Sequence, residues 1–389
     1  MDFRFTAEEE AFRQEVREFA RRELPPGWLG VEEYTADVFP KTRAIARKLG
    51  ERGWLALGWP KAYGGQGASF TRQLVFLEEA AYWGIPGTGM GVGGTAWVGP
   101  ALLLFGTEAQ KREHIPPIAS GERFWCTAYS EPGAGSDMAA ANLKVTRKDG
   151  YYLLDGQKVW TSAAHVADWC WLLARTNTQV PKHRGLSLFL INMKTPGLTL
   201  RPILNLANLH SFNELYFDGV RVPVENRVGE EDRGWYYVVV ALDMERASPG
   251  VRAAAVARRL VDELTRYVKE KPGPYWVAQA LAEAAVAVEV ARLLGYRCLD
   301  MRARGQVPNY EASSVKVFAS ELVQRLSGLG LRVLGLAGQL GPGSPGAFLK
   351  GQIAQLYMVS RGDTIAAGTS EVQRNIIALR GLGLPRGPD

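Results

Sequence analysis

The sequence predicts an α+β multi-domain chain. An N-terminal helical domain spans 1–124, a middle antiparallel, β-barrel-like domain spans 125–232, and a C-terminal four-helix bundle spans 233–389. Three observations carry this. Apolar residues recur at helical spacing in the first and last zones. The middle zone alternates like strands and is punctuated by turn dipeptides. At 389 residues, with 47% hydrophobic content, the chain exceeds one small core and can bury several.

In the first zone, Thr6 and Glu9 have capping-box spacing, and Phe12, Val16, Phe19 and Leu24 follow on one helical face. Pro25-Pro26 stops that helix. Ser69 caps a helix carrying Leu74, Leu77 and Ala81, and Thr107 caps another. In the middle zone, Tyr151–Leu154 and Lys158–Trp160 flank Asp155-Gly156, which reads as a hairpin turn, as does Asp149-Gly150. Trp169–Ala174, Leu186–Met193 and Leu215–Val222 read as strands. The last zone reads as long helices over 234–269, 275–303 and 310–336. Breaks at Lys271-Pro272-Gly273-Pro274 and at 341–346 separate them from each other and from a C-terminal segment.

Composition excludes several classes. No apolar run reaches the ~18–20 residues a membrane span requires. Residues 1–10 are polar and acidic, unlike a secretory signal, so a cytoplasmic location is expected. The cysteines (Cys126, Cys170, Cys298) and four histidines are scattered, so no metal site is expected. A net charge of +6 suits a polyanionic small molecule as well as nucleic acid, and without a dedicated basic region nucleic acid is disfavoured.

The chemistry lies in five blocks. They are Phe105–Lys111, Tyr129–Asp137, Asp155–Ser162, Val220–Asn226 and Gly368–Ala378. In the second, the glycines of Pro132-Gly133-Ala134-Gly135-Ser136 let backbone approach a ligand closely; a plain surface turn is the alternative. In the third, Trp160 and Ser162 alternate, which on a strand places both on one face; Trp160 as ordinary core is the alternative. In the last, Thr369 stands at a helix start, a natural cap and a natural pyrophosphate site.

Taken together and in this order, the blocks resemble those of the acyl-CoA dehydrogenase family across nearly the whole chain. The resemblance implies non-covalent FAD, an acyl-CoA substrate, α,β-dehydrogenation to the trans-2-enoyl-CoA, and electron transfer to an electron-transfer flavoprotein. It implies that Tyr129 and Ser130 meet the flavin edge, Trp160 its ring, Ser162 its N5 or the phosphate side, and Thr369 and Glu371 the ADP half. Ser136, Asp243 and Arg246 would contact the CoA portion. Trp97 would fall in the helix pair lining the acyl cavity.

Many family members carry the catalytic glutamate just before the Gly-Thr of the last block. Here that position is Ala367, which cannot take a proton but keeps a backbone N–H for the thioester oxygen. Isovaleryl- and long-chain-type relatives place the glutamate before an arginine on an early C-terminal helix, where this sequence has Glu245-Arg246. The resemblance therefore implies Glu245 as base, against the alternative of a solvated glutamate paired to an arginine. The family's Arg-x-Phe-Gly stretch is replaced by 269–275, and its Gly-Gly-x-Gly stretch reads Gly335-Leu336-Ala337-Gly338. A homo-oligomer, dimer or tetramer, is expected from relatives that complete the FAD site across an interface. The altered base position and stretches leave other readings open: a non-catalytic or heteromeric subunit, a DNA-associated alkylation-response-type relative, and an oxidase or monooxygenase.

Overall fold

The computed structural model describes residues 5–245 and 248–386, with backbone alone at 243–245. Five helices come first: α1 (Ala7–Glu23), α2 (Phe39–Glu51), α3 (Phe70–Trp83), α4 (Gly99–Phe105) and α5 (Glu108–Ala119). Eight strands follow: β1 (Trp125–Ala128), β2 (Lys144–Lys148), β3 (Tyr151–Lys158), β4 (Trp169–Arg175), β5 (Leu186–Asn192), β6 (Leu198–Leu204), β7 (His210–Pro223) and β8 (Arg227–Val228). Then come α6 (Gly234–Glu245), α7 (Ser248–Glu270), α8 (Tyr275–Ala303), α9 (Tyr310–Leu334), α10 (Gln352–Val359) and α11 (Ser370–Ile376).

The capping signals act as read. Thr6 and Glu9 exchange hydrogen bonds at the start of α1, and Thr107 and Gln110 do the same at α5. Ser69 Oγ accepts from Arg72 N at α3. The predicted helix over 234–269 is described as α6 (Gly234–Glu245) and α7 (Ser248–Glu270), with residues 246 and 247 outside the described residues.

The chain divides into two compact units. One comprises residues 1–31, 69–85 and 246–389. In it α7, α8 and α9 pack around Ala254, Leu260, Val288, Ala319, Leu322 and Leu326, all buried. In place of a fourth long C-terminal helix, the shorter α10 adds Ile353 to this core, and α3 packs on α7. Gly84 at the end of α3 has φ +63, and a Cβ there would lie 2.6 Å from the Leu29 carbonyl carbon, so glycine is required.

The other unit comprises 32–68 and 86–245. Its sheet runs β6-β7-β3-β2-β4-β5-β8, with β1 beside β4. Most pairs are antiparallel, as expected, but β1–β4 and β2–β4 are parallel. β1 enters from the helical region and β4 is reached through the 159–168 loop, so neither join is a tight hairpin. Its core gathers Tyr152, Leu154, Leu172, Phe189, Leu215 and Val220.

The two turn signals separate. Asp149-Gly150 is the hairpin: Lys148 pairs with Tyr151, and Gly150 has φ +78. Asp155-Gly156 is corrected from a turn to the interior of β3, opposite a bulge. Between Leu154 and Gly156 the partner register moves from Val220 to Phe217, so β7 carries the extra residue, at Asp218-Gly219. Asp155 Oδ1 accepts the Gly219 N–H at 2.8 Å, and Gly219 has φ +59. The aspartate therefore satisfies the bulge instead of starting a turn.

Candidate active site

The residues expected to act fall into groups, each built within one compact unit. In the sheet unit, β3 ends at Lys158. The chain then turns sharply, with Trp160 at φ +59 and Ala163 at φ +56. Strand alternation therefore does not place Trp160 and Ser162 on one face, and that expectation is corrected. A left-handed residue between two tethered neighbours does the positioning instead. Val159 N donates to Ser130 O at 2.9 Å, and Thr161 exchanges two backbone hydrogen bonds with Asn213. Trp160 is thus pushed outward, 58% exposed, with Phe212 edge-on at 5.9 Å. It is not a core tryptophan. A non-glycine left-handed residue costs about 1–2 kcal/mol and persists only where its surroundings enforce it.

Ser130 is fixed beside this turn by the Val159 bond, and Tyr129 precedes it at the end of β1. For Ser130 Oγ and Ser162 Oγ no hydrogen-bond partner is found among the described residues, although both side chains are half-buried. An outward aromatic face beside two such hydroxyls fits a planar heteroaromatic ring with polar edges. The Pro132–Ser136 loop is exposed except at Ala134, and a Cβ at Gly133 or Gly135 would meet nothing within 4 Å. Ser136 projects there, next to the Asp137–Lys182 ion pair at 2.6 Å.

Sequence reading missed what holds this group. Lys158 is fully buried. Its ammonium donates to Tyr129 O at 2.9 Å and Glu131 Oε1 at 2.7 Å. Glu131 also accepts from Asn142 N at 2.6 Å and Leu143 N at 2.8 Å. Burial pulls the lysine below its usual range while Glu131 opposes that shift. The available signal was a lysine at a strand end, at a position whose alternation with Tyr152 and Leu154 calls for burial. A second missed feature is a polar cluster beside Thr161. His165 and His210 stack with centroids 3.7 Å apart. Asn213 Oδ1 lies 2.8 Å from His210 Nε2, and Asn213 Nδ2 donates to Thr161 O at 3.1 Å.

α6 belongs to the same unit. Tyr237, Val238 and Ala241 bury one face, and Phe105 packs on Tyr237 with centroids 4.6 Å apart. Glu245 is the last residue of α6, one turn beyond Ala241. The side chains of Asp243 and Glu245 lie outside the described residues, as does Arg246 altogether. Trp97 is half-buried and lies over Gly93, where a Cβ would come within 2.3 Å of its ring.

In the helical unit, Ala367 has φ +54 and Gly368 φ +81. Gln373 Nε2 donates to Ala367 O at 3.1 Å, and Lys316 Nζ donates to Gly368 O at 2.7 Å. Ala367 is exposed, and among the described residues its N–H has no acceptor. Thr369 caps α11, its Oγ1 accepting from Val372 N at 3.1 Å. The Glu371 carboxyl lies below its usual range, chiefly through its own backbone N–H and then the Thr369 side chain. Both residues thus serve the helix start.

Among the described residues no group of three or more His, Cys, Asp or Glu gathers as metal ligands, and no helix is long and apolar enough to cross a membrane.

Three family descriptions match in chain order. "Acyl-CoA dehydrogenase, N-terminal domain" covers residues 6–122, the middle domain 126–220, and the C-terminal domain 232–382. The chain is 36% identical over 407 aligned positions to acyl-CoA dehydrogenase FadE26 of Mycobacterium tuberculosis, covering 99% of each. It is 30% identical to the mitochondrial short-chain specific acyl-CoA dehydrogenase of Rattus norvegicus, covering 94% of this chain and 88% of that one. Among solved structures, it is similar to the Tcur3481-Tcur3483 steroid ACAD, with a TM-score of 0.93, 32% identity and full coverage of both chains. It is also similar to the ChsE4-ChsE5 complex from Mycobacterium tuberculosis, with a TM-score of 0.88, 34% identity and full coverage of both. The chain belongs to the acyl-CoA dehydrogenase family, FAD flavoproteins that oxidise the CH–CH bond beside an acyl-CoA thioester.

Proposed function

We propose that Glu245 is the base of this dehydrogenase and that the Ala367 N–H is a donor to the thioester oxygen. The observation that carries this is the 366–369 loop. It has an alanine where many relatives have the acid, a left-handed backbone, and a 367 N–H with no acceptor among the described residues. Removing a proton beside the thioester requires a carboxylate, and stabilising the resulting oxygen charge requires an oriented donor. Glu245 is the carboxylate at the other position that relatives use.

Trp160, Ser162, Tyr129 and Ser130 would hold the flavin ring, and the α11 start with Thr369 and Glu371 would face the ADP half. FAD, when bound, supplies the two-electron acceptor for the hydrogen leaving the β-carbon. Ser136, Asp243 and Arg246 would hold the CoA portion. Electrons would pass on to an electron-transfer flavoprotein.

Substrate and assembly rest on likeness. The solved structure with a TM-score of 0.93 is titled a steroid ACAD, and we extend that substrate class to this chain as an acyl-CoA with a steroid-sized acyl group. Two similar structures are named as pairs of different proteins. α8 presents exposed Val286, Val290 and Leu293 at helical spacing, which suits association. The chain would therefore work as a subunit, paired with itself or with a related chain. The test is the visible spectrum of the purified protein. It should be yellow and should bleach anaerobically with a panel of octanoyl-CoA, isovaleryl-CoA and a steroid side-chain acyl-CoA. Protein that stays colourless with excess FAD, alone and co-expressed with a candidate partner, would overturn the reading.

A further inference from the structure

The ammonium of Lys316 reaches the loop that carries Ala367. Lys316 sits in the first half of α9, on the face that also buries Ala312, Val315 and Ala319. Its side chain is largely buried, an unfavourable place for a charge unless strong acceptors meet it. The acceptor is a backbone oxygen, Gly368 O at 2.7 Å, a short charge-assisted bond. Burial lowers its pKa, and Asp363, Glu321 and Glu371 attract the cation and oppose that shift.

The backbone at the loop needs holding. Two consecutive residues are left-handed, and one of them is alanine. Left alone, an alanine would leave that region, where its Cβ crowds the backbone. The carbonyl of Ala367 is tied by Gln373 Nε2, an exposed contact at 3.1 Å. The carbonyl of Gly368 is tied by Lys316 from the buried side. A larger residue at 368 would be strained by φ +81, and its Cβ, 2.4 Å from Gln373 Nε2, would displace the Gln373 tie.

We infer that Lys316 is a positioning residue for the dehydrogenation: by gripping Gly368 O it fixes the left-handed 367–368 backbone and so aims the Ala367 N–H. This inference rests on the reading of that N–H as the thioester donor. A relative with glutamate at 367 could use side-chain contacts to hold the loop. An alanine offers none, so here the grip depends on backbone acceptors.

The test is Lys316→Met, which keeps most of the stem and removes the donor. Amide hydrogen exchange is followed by mass spectrometry over residues 362–376, with the hairpin segment 144–158 as control. Loss of the grip should raise exchange in 362–376 about 10- to 100-fold, the range that a lost charge-assisted hydrogen bond represents, and leave the control unchanged. In FAD-loaded protein, flavin reduction at saturating octanoyl-CoA should fall about 10- to 100-fold, as misplacement by an ångström does. The half-saturating octanoyl-CoA concentration should stay within about twofold, because only transition-state contact is lost. Lys316→Arg, which keeps a cationic donor, should recover protection. Should Lys316→Met not fold, Lys316→Gln, with its shorter reach, is read in the same way. Unchanged exchange in 362–376, an equal rise in the control, or reduction at the wild-type rate would each overturn the inference. The steroid side-chain acyl-CoA replaces octanoyl-CoA if only it reduces the wild-type flavin; failure of both would count against the catalytic reading instead, and exchange would then decide on the grip alone.

Discussion

Replacing Lys158 by methionine tests whether the buried ion pair holds the Trp160 turn. The ammonium has no solvent exposure and bonds Tyr129 O and Glu131 Oε1. Removing one partner of a buried pair costs about 3–5 kcal/mol, because the other charge stays buried. Glu131 keeps two backbone donors, Asn142 N and Leu143 N, so the lower half of that range, about 3–4 kcal/mol, is expected. For a unit of roughly two hundred residues, each kcal/mol moves the melting temperature by about 2–4 °C, so the sheet unit should melt about 6–16 °C lower. Glu131→Gln alone strands the ammonium and should cost about as much. The double variant restores neutrality, with the glutamine carbonyl left to accept from one of the two amides, and should recover about 1–3 kcal/mol relative to additivity. Scanning calorimetry of FAD-free protein measures all four species. A shift under about 2 °C for Lys158→Met, or a double variant that loses the full sum of the two single losses, would refute the reasoning.

Other outcomes follow from the same structure. Glu245→Gln should retain FAD and acyl-CoA but reduce flavin about 100- to 10,000-fold more slowly in stopped flow; a near-normal rate would remove the assignment. In that background Ala367→Glu should restore part of the rate. His114 is buried, and burial first, then the Arg123 guanidinium 2.9 Å from Nδ1, pushes it down to about 4. Its folded pKa is lowered, so the unfolded chain binds the proton more readily. Stability is therefore full above about 6.5 and is lost as pH falls towards 4, by roughly 3 kcal/mol. His114→Gln should flatten that part of a stability-against-pH profile, and an unchanged profile would contradict the assignment. Light scattering of the chain expressed alone should exceed the single-chain 42.7 kDa; a monomer that assembles only with a related chain would establish the heteromer.

Local chemistry made much of the molecule legible. Thr6 with Glu9, Ser69 and Thr107 state their helix starts outright, because a cap is decided by residues three apart. The Asp149-Gly150 hairpin is equally local. Asp155-Gly156 shows the limit. The same type of dipeptide lies inside β3, because a bulge in β7, some sixty residues on, gives the aspartate a different acceptor role.

The site divides in the same way. The order of the blocks and the alanine at 367 stand in the sequence, and with them the family and the proposal that another carboxylate is the base. Which backbone conformation presents those residues does not. Trp160 faces outward because Ser130 and Asn213 tether its neighbours, and neither tether is local in sequence. Alternation with Tyr152 and Leu154 calls for burial of Lys158, but the partners of Lys158 and Lys316 do not stand beside them in sequence. Only the tertiary structure surrounds their ammonium groups with Glu131, Tyr129 O and Gly368 O. A charge is buried only where distant backbone and carboxylate oxygens converge to replace water, and that convergence belongs to the folded chain.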